Sequence, residues 1–232
     1  RLASAADEIG RVDALVVNGD SIDGPGRKDS TQHITTDINE QIDYASQALS
    51  LFRVSKKNIH IVRGTGYHTD LSMSFETAMG KAIGAPVYDE LRLKIYEDRW
   101  HVRHHVGRSD IPYGQYTQAM KEGINEALQA DLEDYDAADL LSRAHVHYCV
   151  SARRWNTGRN RWQEVFTNPA LQLRGPRQSS YVRKLRTWMY HVGFVVIDFW
   201  KGQPWEVRPI VWPIKVYAPQ MREYLCLTNE GA

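Results

Sequence analysis

Two imidazoles separated by one residue, His145 and His147 in LLSRAHVHYCV (140–150), are the first residues whose type and spacing suggest chemistry. In an extended chain side chains repeat every two residues, so both rings would project from one face, roughly 7 Å apart along it. That spacing suits a pair of metal ions, and taken alone it equally suits two ordinary histidines on a half-exposed sheet. The company they keep decides between the two. Asp20 and Asp23 stand in NGDSIDG (18–24), His68 in RGTGYHTD (63–70), and His104 and His105 in HHVG (104–107). Imidazole and carboxylate together suit Zn, Mn, Fe or Ni, and one shared carboxylate can bridge two ions.

These groups need elements to position them, and the periodicity supplies candidates. Helical spacing covers 2–9, 36–52, 74–83 and 116–132, while apolar runs at 13–18 and 58–63 predict strands. Residues 91–96 and 99–106 form a predicted hairpin about Glu97-Asp98. A strand is expected over 138–150, then strands at 162–167, 192–200 and 205–217. Strand, helix and strand in alternation argue for parallel pairing, and each candidate ligand falls just after a strand, where α/β sheets present their sites.

Composition bounds the function classes. With 232 residues and 42% hydrophobic content, the chain can bury one substantial core, so 1–232 is expected to be a single domain. No run approaches the eighteen or so apolar residues of a membrane span, so no membrane partner is expected. Two cysteines, Cys149 and Cys226, are too few for a disulfide framework, and a cytoplasmic location is expected. Charge is uneven: residues 1–150 hold 16 Lys/Arg against 23 Asp/Glu, and 151–232 hold 13 against 5. Within the basic segment 151–190, Glu164 is the only acid and three tryptophans sit among the arginines. Arginine interleaved with aromatics suits a polyanion with stackable bases, making Arg153, Arg154 and Trp155 candidate substrate-binding residues; a solvated hairpin paired with the acidic half is the alternative.

Taken in order, the motifs resemble the calcineurin-like metallophosphoesterases. Gly19-Asp-Ser-Ile-Asp23 is similar to the Gly-Asp-x-x-Asp of that family, and Ala144-His-Val-His147 to its Gly-His-x-His with Ala for Gly. His104, with His105 a rival, suits its lone histidine, and Asn168-Pro-Ala resembles its Asn-Pro-Gly. Gly64-Thr-Gly-Tyr-His68 departs from the family's Gly-Asn-His and looks more like phage and prophage members. The resemblance implies a four-layer α/β/β/α sandwich of two mixed sheets and two divalent transition metals. Asp20 would bridge them, with His104, His145 and His147 as further ligands. His68 would be either a ligand or a catalytic group beside the leaving oxygen, and Asp23 and His105 would lie one shell out.

The family's Asp-x-His does not occur in these 232 residues, so the expectation is of a chain lacking the first strand and its two ligands. The resemblance then implies one fuller metal position, from Asp20, His104, His145 and His68, and one poorer, from Asp20 and His147. The expected activity is metal-dependent hydrolysis of a phosphomonoester or phosphodiester by metal-activated hydroxide, with nucleic acid or nucleotide favoured as substrate. The alternative is a catalytically impaired nucleic-acid-binding or structural protein that keeps the fold. Glu76 is read as a solvated or capping carboxylate, the acidic run 131–139 as a solvated helix end, His101 as structural or exposed, and His191 as opening a strand from which it could reach the substrate.

Overall fold

The computed structural model describes residues 1–24, 34–65, 75–172 and 190–212. Helix α1 (Leu2–Ile9) leads into β1 (Leu15–Asn18), α2 (Ile38–Ser50), β2 (Ile59–Val62), α3 (Phe75–Ile83) and β3 (Val87–Tyr88). The three strands pair in parallel in the order β1-β2-β3, with Leu15 opposite Ile59 and Ile61 opposite Val87. Parallel neighbours need a long crossover, and helices supply it here. Asp37 caps α2, its carboxylate accepting from Asn39 N–H at 2.8 Å; this satisfies one of the helix's otherwise unpaired amides.

The larger sheet comprises β4 (Leu91–Ile95), β5 (Asp98–Val102), β6 (Leu140–Arg143), β7 (Ser151–Asn156) and β8 (Arg161–Thr167), in the order β4-β5-β6-β8-β7. Its centre, β5-β6-β8, is parallel, and β4 and β7 add antiparallel edges. Helix α4 (Pro112–Glu133) crosses between β5 and β6, starting on a proline whose missing N–H costs nothing in a first turn. Finally β9 (Val192–Trp200) and β10 (Gln203–Trp212) form an antiparallel ribbon.

Side-chain parity sorts these elements into four layers. On one face of β1-β2-β3, Leu15, Val17, Ile59 and Ile61 pack against Ile42 and Leu49 of α2 and Met79 of α3. On the opposite face, Val16 and Val62 meet Leu91, Val102 and Trp100 of the larger sheet. The ribbon covers the same inner face of that sheet, where Leu140 and Phe166 meet Val195, Ile197 and Trp205. Their sequence neighbours Leu141 and Val165 turn outward onto Ala119 of α4. The order is therefore helix, sheet, sheet, helix, as the resemblance implied, and strands of both directions occur in each β layer.

The expected strand over 138–150 is corrected. Pairing ends at Arg143, because His145 and His147 adopt left-handed backbone angles, φ 69° and 57°, which no strand can hold. The two rings therefore do not share a strand face. The acidic run also departs from expectation: Asp139 is 1% exposed, accepts Arg99 N–H at 2.9 Å and pairs with Arg159 and Arg161. β3 and β7 were not anticipated, and the predicted strand 205–217 is described as far as Trp212.

Candidate metal centre

Asn18 ends β1, and the chain then turns through Gly19 at φ 75° and Asp20 at φ 49°. Asp20 is brought against the ends of β2, β5 and β6. Its Oδ1 accepts from Thr65 N–H at 2.7 Å and from the Thr65 hydroxyl at 3.1 Å. Its Oδ2 lies 2.9 Å from His104 Nε2 and 3.8 Å from His145 Nδ1. One carboxylate oxygen is thus anchored to the β2 loop while the other faces two imidazoles. Ligand atoms of Asp20, His104 and His145 all lie within 4.8 Å of one another, the one such group among the described residues.

Close approach of these turns depends on two glycines. A Cβ on Gly19 would stand 2.2 Å from His104 Nδ1 and 2.7 Å from Gly64 Cα. One on Gly64 would stand 2.0 Å from Asp20 Oδ1 and 2.3 Å from Asp20 N. Both fall well inside van der Waals contact, so the cluster closes only because neither residue has a side chain.

His104 is 4% exposed, and its Nδ1–H donates to the Asn18 carbonyl at 2.6 Å. That bond commits the proton to Nδ1 and turns the Nε2 lone pair toward Asp20 Oδ2, which repels it unless a proton or a cation lies between them. Without a cation, burial pulls the imidazole pKa down, but the hydrogen bond and charge of Asp20, helped by the Asn18 carbonyl, prevail and raise it. A divalent cation fits the same place. Metal bonds of about 2.0–2.1 Å in a tetrahedral shell put neighbouring donors about 3.3 Å apart; the 2.9 and 3.8 Å separations bracket that value.

The remaining candidates are placed as follows. His147 is half-buried, its ring edge-on to Tyr190 at 5.7 Å between centroids, and it is not in the three-ligand group. His105 is exposed and lies tilted over His145 with centroids 4.9 Å apart; burial and the neighbouring charges of His145 and His104 lower its pKa. Asp23 is exposed beyond the turn. His68 lies outside the described residues. Cys149 is partly buried, and burial pushes its thiol up to about 11.

Two positioning residues escaped the sequence reading. Thr65 orients Asp20, and Glu76, read as solvated or capping, is 1% exposed and accepts Gly64 N–H at 3.1 Å. The available signal was a carboxylate in the first turn of a helix that follows a glycine-bearing loop. Asn168 also contributes: its N–H donates to the Arg143 carbonyl at 2.7 Å, and its side-chain amide, like that of Asn18, donates to Ser142 Oγ.

Arg153, Arg154 and Trp155 do not join this cluster. Trp155 pairs with Trp162, five residues before Thr167 at the site end of β8, or about 17 Å along the strand. Arg154 faces α4, donating to Gln163 Oε1 and the Gly123 carbonyl. The Arg153 guanidinium lies over the rings of Trp162 and Trp205, 5.1 and 5.7 Å from their centroids, beside a cavity of about 340 Å³. Among the described residues no helix is long and apolar enough to cross a membrane.

No family model and no curated protein matches the chain. Among solved structures it is similar to a single mutant of Vps29 from Entamoeba histolytica at 12% identity and TM-score 0.42, covering 90% of this chain and 89% of that one. Chaetomium thermophilum Vps29 aligns at 10% identity and TM-score 0.42, over 88% and 83% of the two chains. Wild-type Entamoeba histolytica Vps29 complexed with Zn2+ aligns at 10% identity and TM-score 0.36, over 85% and 98%. Likenesses this faint assign neither family nor activity.

Proposed function

We propose that the chain binds a divalent transition metal through Asp20 Oδ2, His104 Nε2 and His145 Nδ1 and that this centre serves hydrolysis of a phosphate ester. The observation that carries the reading is the convergence of these three atoms within 4.8 Å, with the other His104 nitrogen committed to a backbone carbonyl. A cation bound there supplies Lewis-acid polarisation of a phosphoryl oxygen and acidifies bound water. The chain's own residues do the rest. Thr65 holds Asp20 with one oxygen turned inward, Glu76 holds the Gly64 amide beneath it, and the Asn18 carbonyl fixes the His104 tautomer. His105 lies exposed and tilted over His145, with ring centroids 4.9 Å apart. A second metal would draw on Asp20 and His147 together with an Asp-x-His pair that these 232 residues do not contain. His68 keeps its two proposed roles, ligand or leaving-group acid.

Nucleic acid or a nucleotide is the favoured substrate class, and the stacked Arg153 supports a polymer over a small ester, since it stands far from the cluster. The same feature supports the second reading, a nucleic-acid binder without turnover. Metal content by plasma mass spectrometry, with hydrolysis of bis(p-nitrophenyl) phosphate under Mn2+ or Ni2+, tests the first reading. Wild type should carry metal and turn over, and Asp20→Asn and His145→Ala should lose both. Metal-free wild type without turnover would sink it. Binding of single-stranded DNA that weakens steeply with salt and on Arg153→Ala, with no hydrolysis, would favour the second.

A further inference from the structure

His191 immediately precedes β9 and stands outside the proposed ligand set, yet it touches the His-x-His loop twice. Its backbone N–H donates to the His147 carbonyl at 3.0 Å, and its ring Nδ1 accepts from the Cys149 N–H at 2.8 Å. Its own carbonyl is engaged elsewhere, by Ala170 N–H at 3.0 Å. In an ordinary ladder the Cys149 amide would find a carbonyl on the neighbouring strand. The left-handed turn at His147 carries the chain away from that register, and the imidazole nitrogen occupies the place of the missing acceptor.

The rest of the loop is held at its ends. Ala144 N–H donates to the His104 carbonyl at 2.8 Å, and Thr167 Oγ1 accepts from Val150 N–H and donates to the Tyr148 carbonyl. Between those anchors lie His145 and His147, both in a backbone region that ordinary side chains avoid and that persists only where the surroundings enforce it. Val146, 1% exposed, pins the centre by burial. His191 is the polar restraint on the His147 side.

We infer that His191 is a positioning residue: its ring, neutral and carrying its proton on Nε2, substitutes for a strand carbonyl and sets the conformation of the loop that presents His145 and His147. The link to metal binding rests on the functional reading above; the brace itself does not. Groups that orient ligands typically change metal affinity by about 10–100-fold when removed.

The test compares the full chain with His191→Leu, which keeps bulk without an acceptor, and His191→Asn, whose side-chain oxygen can stand near the position of Nδ1. Amide hydrogen exchange at Cys149, followed by NMR, reads the brace directly. Mn2+ titration calorimetry reads its consequence, and urea unfolding confirms that each variant is folded. In His191→Leu the Cys149 amide should exchange at least about tenfold faster and Mn2+ affinity fall about 10–100-fold, with both restored to near wild type in His191→Asn. A Cys149 amide as slow in His191→Leu as in wild type would overturn the brace, as would His191→Asn behaving like His191→Leu. A wild-type chain that binds no Mn2+ would overturn the metal reading, while the Cys149 amide in the same samples would still support or overturn the brace.

Discussion

Gly64→Ala isolates the close contact on which the cluster depends. Gly64 does not occupy the left-handed region, so alanine meets no intrinsic backbone penalty; its methyl instead stands 2.0 Å from Asp20 Oδ1 and 2.3 Å from Asp20 N. Backbone atoms cannot move aside as a flexible side chain can. Overpacking of this kind costs about 1–3 kcal/mol. If Asp20 is displaced it also loses the 2.7 Å bond from Thr65 N–H, worth about 1.5–3 kcal/mol for a charged acceptor. The expected loss is therefore about 2.5–6 kcal/mol. Gly10→Ala provides the control: Gly10 sits at φ 76° and ψ −129° with nothing within 4 Å of the added Cβ, so it meets only a backbone penalty of about 1–3 kcal/mol. Urea unfolding, read from midpoints at a common slope, should rank Gly64→Ala well below Gly10→Ala, and Mn2+ binding should fail only in the former. Equal stabilities for the two variants, or full Mn2+ affinity in Gly64→Ala, would refute the contact argument.

Three further outcomes follow from the network around the site. Glu126 accepts from Arg92 at 2.7 Å, from Ala138 N–H at 3.0 Å, and pairs with His101 at 3.1 Å; despite burial, these bonds hold its carboxyl far below the usual range. A depressed folded pKa gives stability that is full above the unfolded value of about 4.3 and is lost as pH falls below it. Urea midpoints should therefore fall more steeply from pH 5 to 3 in wild type than in Glu126→Gln, and parallel pH profiles would refute this. Arg143, 1% exposed, donates to Glu122 at 2.8 Å and to the Ser142 carbonyl at 3.0 Å; Arg143→Met removes one of the two arginines on Glu122, leaving Arg103 at 2.7 Å, and should cost about 1–3 kcal/mol by the same unfolding assay. Thr65→Val removes the hydroxyl bond to Asp20 and spares the amide, so calorimetry should show a loss of Mn2+ affinity smaller than that of Gly64→Ala.

Periodicity served well where elements bury one face. Residues 2–9 and 192–200 were expected at the limits they adopt, because each carries regular apolar spacing onto a packed layer. It failed at β7, whose SARRWN carries arginines on both faces: Arg154 lies along α4 and Arg153 over indole rings, so burial there involves aliphatic stems and aromatic stacking that a polarity pattern does not register. The convergence of Asp20, His104 and His145 was legible because carboxylate and imidazole recur at strand ends. Thr65 and Glu76 were not, since a hydroxyl or carboxylate that orients another residue's side chain is defined only by where the fold brings it. Asp139 was misread for a related reason: its three arginine and amide partners come from β5, β8 and the turn before β8, all remote in sequence.

The left-handed residues connect these observations. Seven non-glycine residues among those described have positive φ, and three of them are Asp20, His145 and His147. Each such residue costs about 1–3 kcal/mol, and of these three only Asp20 follows a glycine that announces a turn in the sequence. The strain falls on residues whose side chains must leave a strand end and point back over it. A continued strand would have placed His145 and His147 on one face, as the two-residue repeat suggested, and His145 would then have stayed in the plane of β6. The left-handed turn instead lifts His145 Nδ1 to 3.8 Å from Asp20, which has made the same kind of turn from the other sheet. Two strand ends from different layers reach each other because both leave extended geometry at the residue that carries the donor, and the buried Val146, the Thr65 amide and the His191 ring are what hold them there.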